Sequence, residues 1–368
     1  MTAPLIDIIA GARPNFMKIA PIIHAIRARQ AAGVNLRFRL VHTGQHYDEK
    51  MSGEFFRQLD IPPPDVNLEV GSGTAAEQTG EIMRRYEKLL LEQRSDLCLV
   101  VGDVTSTMAC AIAAQKLGVK VAHVEAGIRS GDWSMPEEIN RMVTDAISNW
   151  FFTTSETANA NLRHAGVEDA RIFFVGNTMI DTLLANLPKL RQPACWNELN
   201  LAPKAYVVLT LHRPANVDDA DNLQALLQAV STACAGLPVV FPVHPRTRGV
   251  LAKLPALPGN LHPLDPQPYL EFIHLVRDAL AVITDSGGIT EEATVLDVPC
   301  LTLRANTERP ETVELGSNEL LGTDPAAIAP AMARVRAGQW KKGSVPPLWD
   351  GRTAERIVDH LTRLLPPS

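Results

Sequence analysis

From Leu5 almost to the end of the chain, short apolar runs alternate with longer amphipathic segments, and the runs end in small or polar residues. That alternation is the pattern of parallel strands joined by crossover helices, because a strand buried on both faces needs a helix to return the chain. In the first half the runs are LIDIIA, FRLVHTG, LCLVVGD, VKVAHVEAG and NWFFTTS, with RIFFVGNTMIDTLL closing the series. The stretch LPKLRQPACWNELNLAPKA is rich in proline and weakly periodic, and reads as a linker region. A second series then repeats the rhythm in YVVLTLHRP, PVVFPVHP, LAVITDSGG and PCLTLRANTERPE. The expected fold is α/β, with doubly wound domains over 1–175 and 176–350 facing a cleft into which the strand ends open. In the last segment Ala354, Ile357, Val358, Leu361 and Leu365 recur at helical spacing, which predicts a packed amphipathic helix within 351–368.

Composition supports that size of structure and excludes some partners. At 368 residues and 46% hydrophobic content, the chain can fill two cores of ordinary size. Its net charge of −6 is spread over interspersed charges, so it does not read as a general nucleic-acid or membrane-surface binder. An anionic ligand then needs a local basic pocket. The N-terminal MTAPLIDIIAGARP has no basic region before its apolar run, so no signal peptide is expected, and no apolar segment has the length of a membrane helix. The 5 cysteines stand far apart without metal-ligand spacing. They read as buried, reduced thiols of a cytoplasmic protein, and no metal is expected.

The stretch VITDSGGITEEATVL concentrates the chemistry of the second half. Ser286, Gly287 and Gly288 open a helix after a strand, where free N–H groups and the helix dipole suit a phosphate and glycine lets it approach. Glu292, just inside that helix, can accept hydrogen bonds from ribose hydroxyls, and Glu291 reads as a first-turn acid facing away. His212, Arg213, His244, Arg246, Arg304 and Arg309 all fall at or just beyond strand ends. In the first half the strand ends carry acids instead: Asp103, Glu125, and then Glu137 and Glu138 in MPEEINR. Helix-start electrostatics would explain the last pair, but not a glutamate at the mouth of VAHV. The first strand–helix turn, IIAGARPNFMK, adds Arg13 and Lys18 but lacks G-x-G-x-x-G, so no nicotinamide or flavin cofactor is expected. Phosphate binders in one half and carboxylates in the other suit a nucleotide sugar undergoing proton transfer.

GARPNFMKIAP, TGQH, GDVTST, HVEAGIRSGD, MPEEINR, VGNTMID, LHRP, PVHP, TDSGGITEEA and TERPE, in this order, resemble the non-hydrolysing UDP-N-acetylglucosamine 2-epimerase family over nearly the whole chain. The resemblance implies two Rossmann-like domains in the GT-B architecture, with a terminal helix packing back on the first. It also implies a UDP-sugar substrate, no cofactor and a homodimer. By it, Asp103, Glu125, Glu137 and His212 match catalytic positions, Glu137 being chosen by aligning MPEE from its proline. Arg13, Lys18, Ser286 and Gly287 match the diphosphate site, Glu292 the ribose site and Phe272 the uracil pocket. Gln45 and His46 match a segment that helps bind a second, allosteric UDP-N-acetylglucosamine, although YDEKM then departs from the pattern. The loop RSGDWSMPEE is shorter than in typical members, and looks more like the branch acting on 2,3-diacetamido uronic acid nucleotides.

The implied reaction is epimerisation at C2 through elimination of UDP and re-addition to a 2-acetamidoglucal. Proton transfer on both faces of C2 accounts for more than one carboxylate. The alternatives are the diacetamido uronate substrate, a hydrolysing epimerase that releases UDP, a glycosyltransferase of the same fold, and a UDP-sugar sensor without turnover.

Overall fold

The computed structural model describes residues 3–44, 56 and 58–365. By its internal contacts the chain divides into one compact unit of residues 1–184 with 347–368, and a second of residues 185–346.

The first unit is built on a parallel sheet of strands β1 (Leu5–Ala10), β2 (Arg37–His42), β3 (Val66–Asn67), β4 (Leu97–Val101), β5 (Lys120–Val124), β6 (Trp150–Thr153) and β7 (Ile172–Phe174), in the order β3-β2-β1-β4-β5-β6-β7. The second unit repeats the plan with β8 (Val207–Thr210), β9 (Val239–Pro242), β10 (Leu261–Leu264), β11 (Ala281–Thr284), β12 (Cys300–Thr302) and β13 (Asn318–Leu320), ordered β10-β9-β8-β11-β12-β13. Both orders reverse direction between the first and fourth strands, the switch point where ligands of doubly wound sheets bind. The expected α/β, doubly wound fold is what the chain adopts.

The apolar runs read from the sequence are strands, but β3, β10 and β13 were not foreseen. Each lies at a sheet edge. Edge strands are only partly covered and need no continuous apolar run, so VN, LHPL and NEL carry little strand signal. Asp7, which interrupts LIDIIA, is fully buried and lies opposite Arg39 in the register of β1 on β2. The Arg39 guanidinium meets both oxygens of Asp7 at 2.7 and 2.8 Å, and the Tyr86 hydroxyl donates to one of them at 2.9 Å. A buried carboxylate is tolerated because it is paired and hydrogen-bonded.

The proline-rich stretch after the first series is packed: Cys195 and Leu201 are buried, and Trp196 stands edge-on to Tyr206 with ring centroids 5.6 Å apart. The helix Thr353–Leu364 buries Ala354, Ile357, Val358 and Leu361, and its Asp359 pairs with Arg29 of the helix Arg13–Ala31. Its first turn is held by Asp181, whose carboxylate accepts the N–H groups of Thr353 at 3.1 Å and Ala354 at 2.7 Å. All five cysteines are free and buried, and burial pushes the thiols of Cys234 and Cys300 up to about 12. Among the described residues no helix is long and apolar enough to cross a membrane.

Candidate functional site

Each unit gathers a cluster of the expected residues at the carboxyl ends of its strands. In the first unit, the turn after β1 is closed by Asn15, whose side-chain oxygen accepts the N–H groups of Gly11 at 3.1 Å and Ala12 at 3.0 Å. Its amide nitrogen donates to the carbonyl of Val101 at 3.0 Å. The amides that a dinucleotide fingerprint would turn toward a pyrophosphate are thus engaged by a side chain of the same turn. Arg13 opens the following helix. One turn further on, Lys18 brings its Nζ to 2.6 Å from the Oε2 of Glu125, which the sequence reading did not foresee.

Glu125 follows β5 with a φ of +67°, a backbone conformation costly for a side-chain-bearing residue. Gly102, between β4 and Asp103, has a φ of +70°, and a Cβ there would come within 3.0 Å of the Lys18 Nζ and 3.8 Å of the Glu125 carboxylate. The ends of β4 and β5 therefore converge on Lys18. Asp103 is half-exposed, and its Oδ2 accepts from Arg141 at 2.9 and 3.1 Å. The same guanidinium meets Glu138 at 2.5 Å, and Glu138, buried, also accepts the N–H groups of Ser130 at 2.9 Å and Gly131 at 3.0 Å. Glu138 is committed to holding its own loop. Glu137, its neighbour in the helix Pro136–Ile147, is partly exposed, and its side chain makes no hydrogen bond or ion pair among the described residues. The side-chain directions of the two glutamates separate what their adjacency in sequence could not.

In the second unit, Thr210 and Thr284 face each other across the switch point, their hydroxyls 2.6 Å apart. Immediately beyond, buried Asp285 accepts the N–H groups of His212 at 3.0 Å and Arg213 at 2.9 Å, and its Oδ1 lies 2.7 Å from the His212 Nδ1. Burial works against this charge, but the hydrogen bonds from His212, Asn216 and Arg213 hold the carboxyl below its ordinary range. His212 keeps a third of its side chain exposed. The helix Gly287–Val295 starts directly after Ser286, and the N–H groups of Gly287 and Gly288 make no hydrogen bond among the described residues. Free N–H groups at a helix start are the kind of donor that suits an anion.

Because that helix begins at Gly287, Glu291 and Glu292 stand in its second turn, not its first, and both are buried. Glu291 does not face away to solvent: the Arg309 Nε meets it at 2.6 Å. Glu292 accepts from the Tyr269 hydroxyl at 3.0 Å, and burial pushes its carboxyl up to about 8. Phe272, one turn on from Tyr269, is half-buried against the core of this unit. The expected basic pocket is largely neutralised. Arg246 pairs with Asp218 at 2.7 Å, Arg304 makes a two-pronged pair with Glu308 at 2.8 and 2.9 Å, and Arg309 is taken by Glu291. Opposite charges close by in sequence or fold satisfied these arginines, which their placement at strand ends did not reveal. Sequence reasoning passed over Asp285, Arg141 and Tyr269, although TDSGG and MPEEINR contain the first two. Gln45 and His46 lie outside the described residues.

The family model for UDP-N-acetylglucosamine 2-epimerase matches residues 28–362. The UDP-N-acetylglucosamine 2-epimerase of Methanocaldococcus jannaschii is 40% identical, covering 97% of this chain and 98% of its own. Its crystal structure with UDP-GlcNAc and UDP superposes with a TM-score of 0.85 over 98% of this chain and 99% of the other. The UDP-2,3-diacetamido-2,3-dideoxy-D-glucuronate 2-epimerase of Pseudomonas aeruginosa is 39% identical, over 97% of this chain and 99% of its own.

Proposed function

The chain belongs to the UDP-N-acetylglucosamine 2-epimerase family, and from that premise we propose that it interconverts UDP-N-acetylglucosamine and UDP-N-acetylmannosamine by eliminating UDP and adding it back. The observation that carries this reading is the division of labour between strand ends: acids after β4 and β5 in one unit, an open helix start beside a carboxylate-held histidine in the other.

On this reading Ser286, Gly287 and Gly288 hold the diphosphate, with charge from Arg13 and Lys18. Glu292 takes a ribose hydroxyl, and Phe272 lines the uracil site. A Glu292 carboxyl that keeps its proton near neutral pH can both donate to and accept from a ribose diol, which supports its place there. The C2 proton of the sugar is not acidic until the anomeric bond weakens. The C1–O bond therefore breaks first, its electron pair leaving on the β-phosphate, where helix-start N–H groups and His212 stabilise the developing charge. A carboxylate then removes the proton from C2, giving the 2-acetamidoglucal. Delivery of a proton to the opposite face of C2, with return of the phosphate oxygen to C1, inverts the centre. Asp103, Glu125 and Glu137 supply the acid and base groups on the two faces. A Glu137 side chain unpaired among the described residues, beside a Glu138 fully engaged in structure, supports assigning the chemistry to the first glutamate.

A second substrate reading rests on the short RSGDWSMPEE loop, where Trp133 is exposed between Glu125 and Glu137. There the sugar is a UDP-linked 2,3-diacetamido uronic acid, and the chemistry at C2 is unchanged. By family resemblance we also read the protein as a cytoplasmic homodimer, which light scattering tests against a chain mass of 40.1 kDa.

The deciding experiment follows UDP-N-acetylglucosamine by NMR in deuterium oxide. Deuterium at C2 together with UDP-N-acetylmannosamine is the expected result. Accumulating free UDP and N-acetylmannosamine would mean a hydrolysing enzyme. Binding without exchange, repeated with the diacetamido uronate nucleotide, would leave a sensor and overturn the reading.

A further inference from the structure

Two residues before Glu125, near the carboxyl end of β5, the fully buried ring of His123 lies between two acceptors. Its Nε2 is 2.8 Å from the carbonyl oxygen of Gly102, and its Nδ1 is 2.7 Å from the Oδ1 of Asp145. A carbonyl can only accept, so Nε2 carries a proton. Asp145 is an ionised acceptor too. Burial works against its charge, but His123 and Arg129 together hold its carboxyl below the ordinary range. Its other oxygen accepts from Arg129 Nη1 at 2.6 Å and from the N–H of Gly127 at 3.1 Å. With an acceptor on each side, both ring nitrogens are engaged.

The contacts of this pair fall on the two turns that present the carboxylates. Gly102 precedes Asp103, and its own N–H donates to the carbonyl of Val124 at 3.0 Å, so His123 fixes the Gly102–Asp103 peptide next to one already anchored. Gly127 follows Glu125 in a turn whose φ values are +67° at Glu125 and +77° at Gly127, and Asp145 ties it down from the neighbouring helix. A strained turn persists only where its surroundings over-determine it. We propose that His123 and Asp145 form a buried histidine–carboxylate brace that positions Asp103 and Glu125 for turnover. Neither residue touches substrate in this scheme; both are positioning residues. The inference rests on the epimerase reading of those two acids.

The test combines a variant with a spectroscopic signature. In protein labelled with ¹⁵N-histidine, the ring connected to the His123 backbone amide is expected to show a hydrogen-bond-shifted Nδ1 signal that Asp145→Asn displaces. An Nδ1 signal unchanged by that substitution would overturn the brace. Asp145→Asn, which keeps the shape and removes the charge, is expected to lower kcat about 10- to 100-fold, as displaced catalytic groups do, while KM and the affinity for UDP change by no more than about threefold. Should that variant fail to fold, Arg129→Gln removes a single, partly exposed donor from Asp145 and is expected to give a smaller loss confined to kcat. Wild-type turnover with kcat unchanged in the folded variant would overturn the inference and leave the epimerase reading intact. A loss of thermal stability without a kcat-specific effect would also overturn it, since it would mean the pair only holds the fold. A wild-type protein that turns over neither UDP-sugar would overturn both.

Discussion

The Nδ1 of His212 sits 2.7 Å from the Oδ1 of Asp285, a carboxylate with no exposure to solvent that also accepts the backbone N–H of His212 itself. Ring and backbone are thus held by one group, and the imidazole is presented with Nε2 outward. Asp285→Asn replaces an acceptor with a group that can also donate, which allows the wrong tautomer. The expected outcome is a loss of about 100-fold or more in kcat for epimerisation, by analogy with a neutralised orienting carboxylate in a hydrolytic triad. Steady-state rates with a parallel measurement of UDP affinity check it; an unchanged kcat would remove His212 from the mechanism.

Glu137 and Glu138 should respond in opposite ways. Glu138→Gln leaves Arg141 and two loop N–H groups with a weaker partner inside the protein, and is expected to cost about 3 kcal/mol of stability. Glu137→Gln touches none of these contacts, so its melting temperature should match wild type while turnover disappears. Thermal melts and C2 deuteration on the two variants decide between the assignments.

Two glycines separate conformational strain from steric clash. Gly127 and Gly131 have φ values of +77° and +72°, so alanine at either costs about 1–2 kcal/mol from the backbone alone. At Gly131 a Cβ would meet nothing within 4 Å, whereas at Gly127 it would lie 2.3 Å from the carbonyl oxygen of Ala158. Gly127→Ala should therefore be the more destabilising by at least about 2 kcal/mol, and should also lower turnover by moving Glu125. Denaturant titrations of the pair test this; equal losses would show that the clash relaxes freely.

Glu311 is buried in the second unit, and neither of its carboxylate oxygens has a hydrogen-bond partner among the described residues. Burial pushes its pKa up from 4.5 to about 7. The folded state then holds a proton that the unfolded state releases between those values, so stability is fully present below about 4.5 and falls as pH rises to about 7. Glu311→Gln cannot titrate. Its stability relative to wild type should rise across that window and level off above it, as read from urea unfolding at a series of pH values.

How much of this was legible beforehand differs by level. The strand from Leu5 to Ala10 and the buried stripe of Ala354, Ile357, Val358 and Leu361 follow from periodicity, because burial on a strand or a helix face imposes a repeat on the chain itself. The Ser286-Gly287-Gly288 helix start was likewise visible, since the need for backbone room is written in the glycines. The family resemblance rested on motifs at these same turns. What one residue does beside its neighbour was not visible. Glu137 and Glu138 are both acids in one helical turn, and only the position of Arg141 and the Ser130 loop makes the second a structural anchor. Arg304 and Arg309 carry the charge expected of phosphate ligands, yet Glu308 and Glu291 reach them first. His123 reads as one more residue of a buried strand until the fold brings Asp145 from a following helix to one nitrogen and Gly102 from the adjacent strand end to the other. Periodicity is a property of the chain and survives in its order of residues. The partner of a charge or a ring nitrogen is set by distances of about 3 Å between segments remote in sequence, which only the folded structure determines.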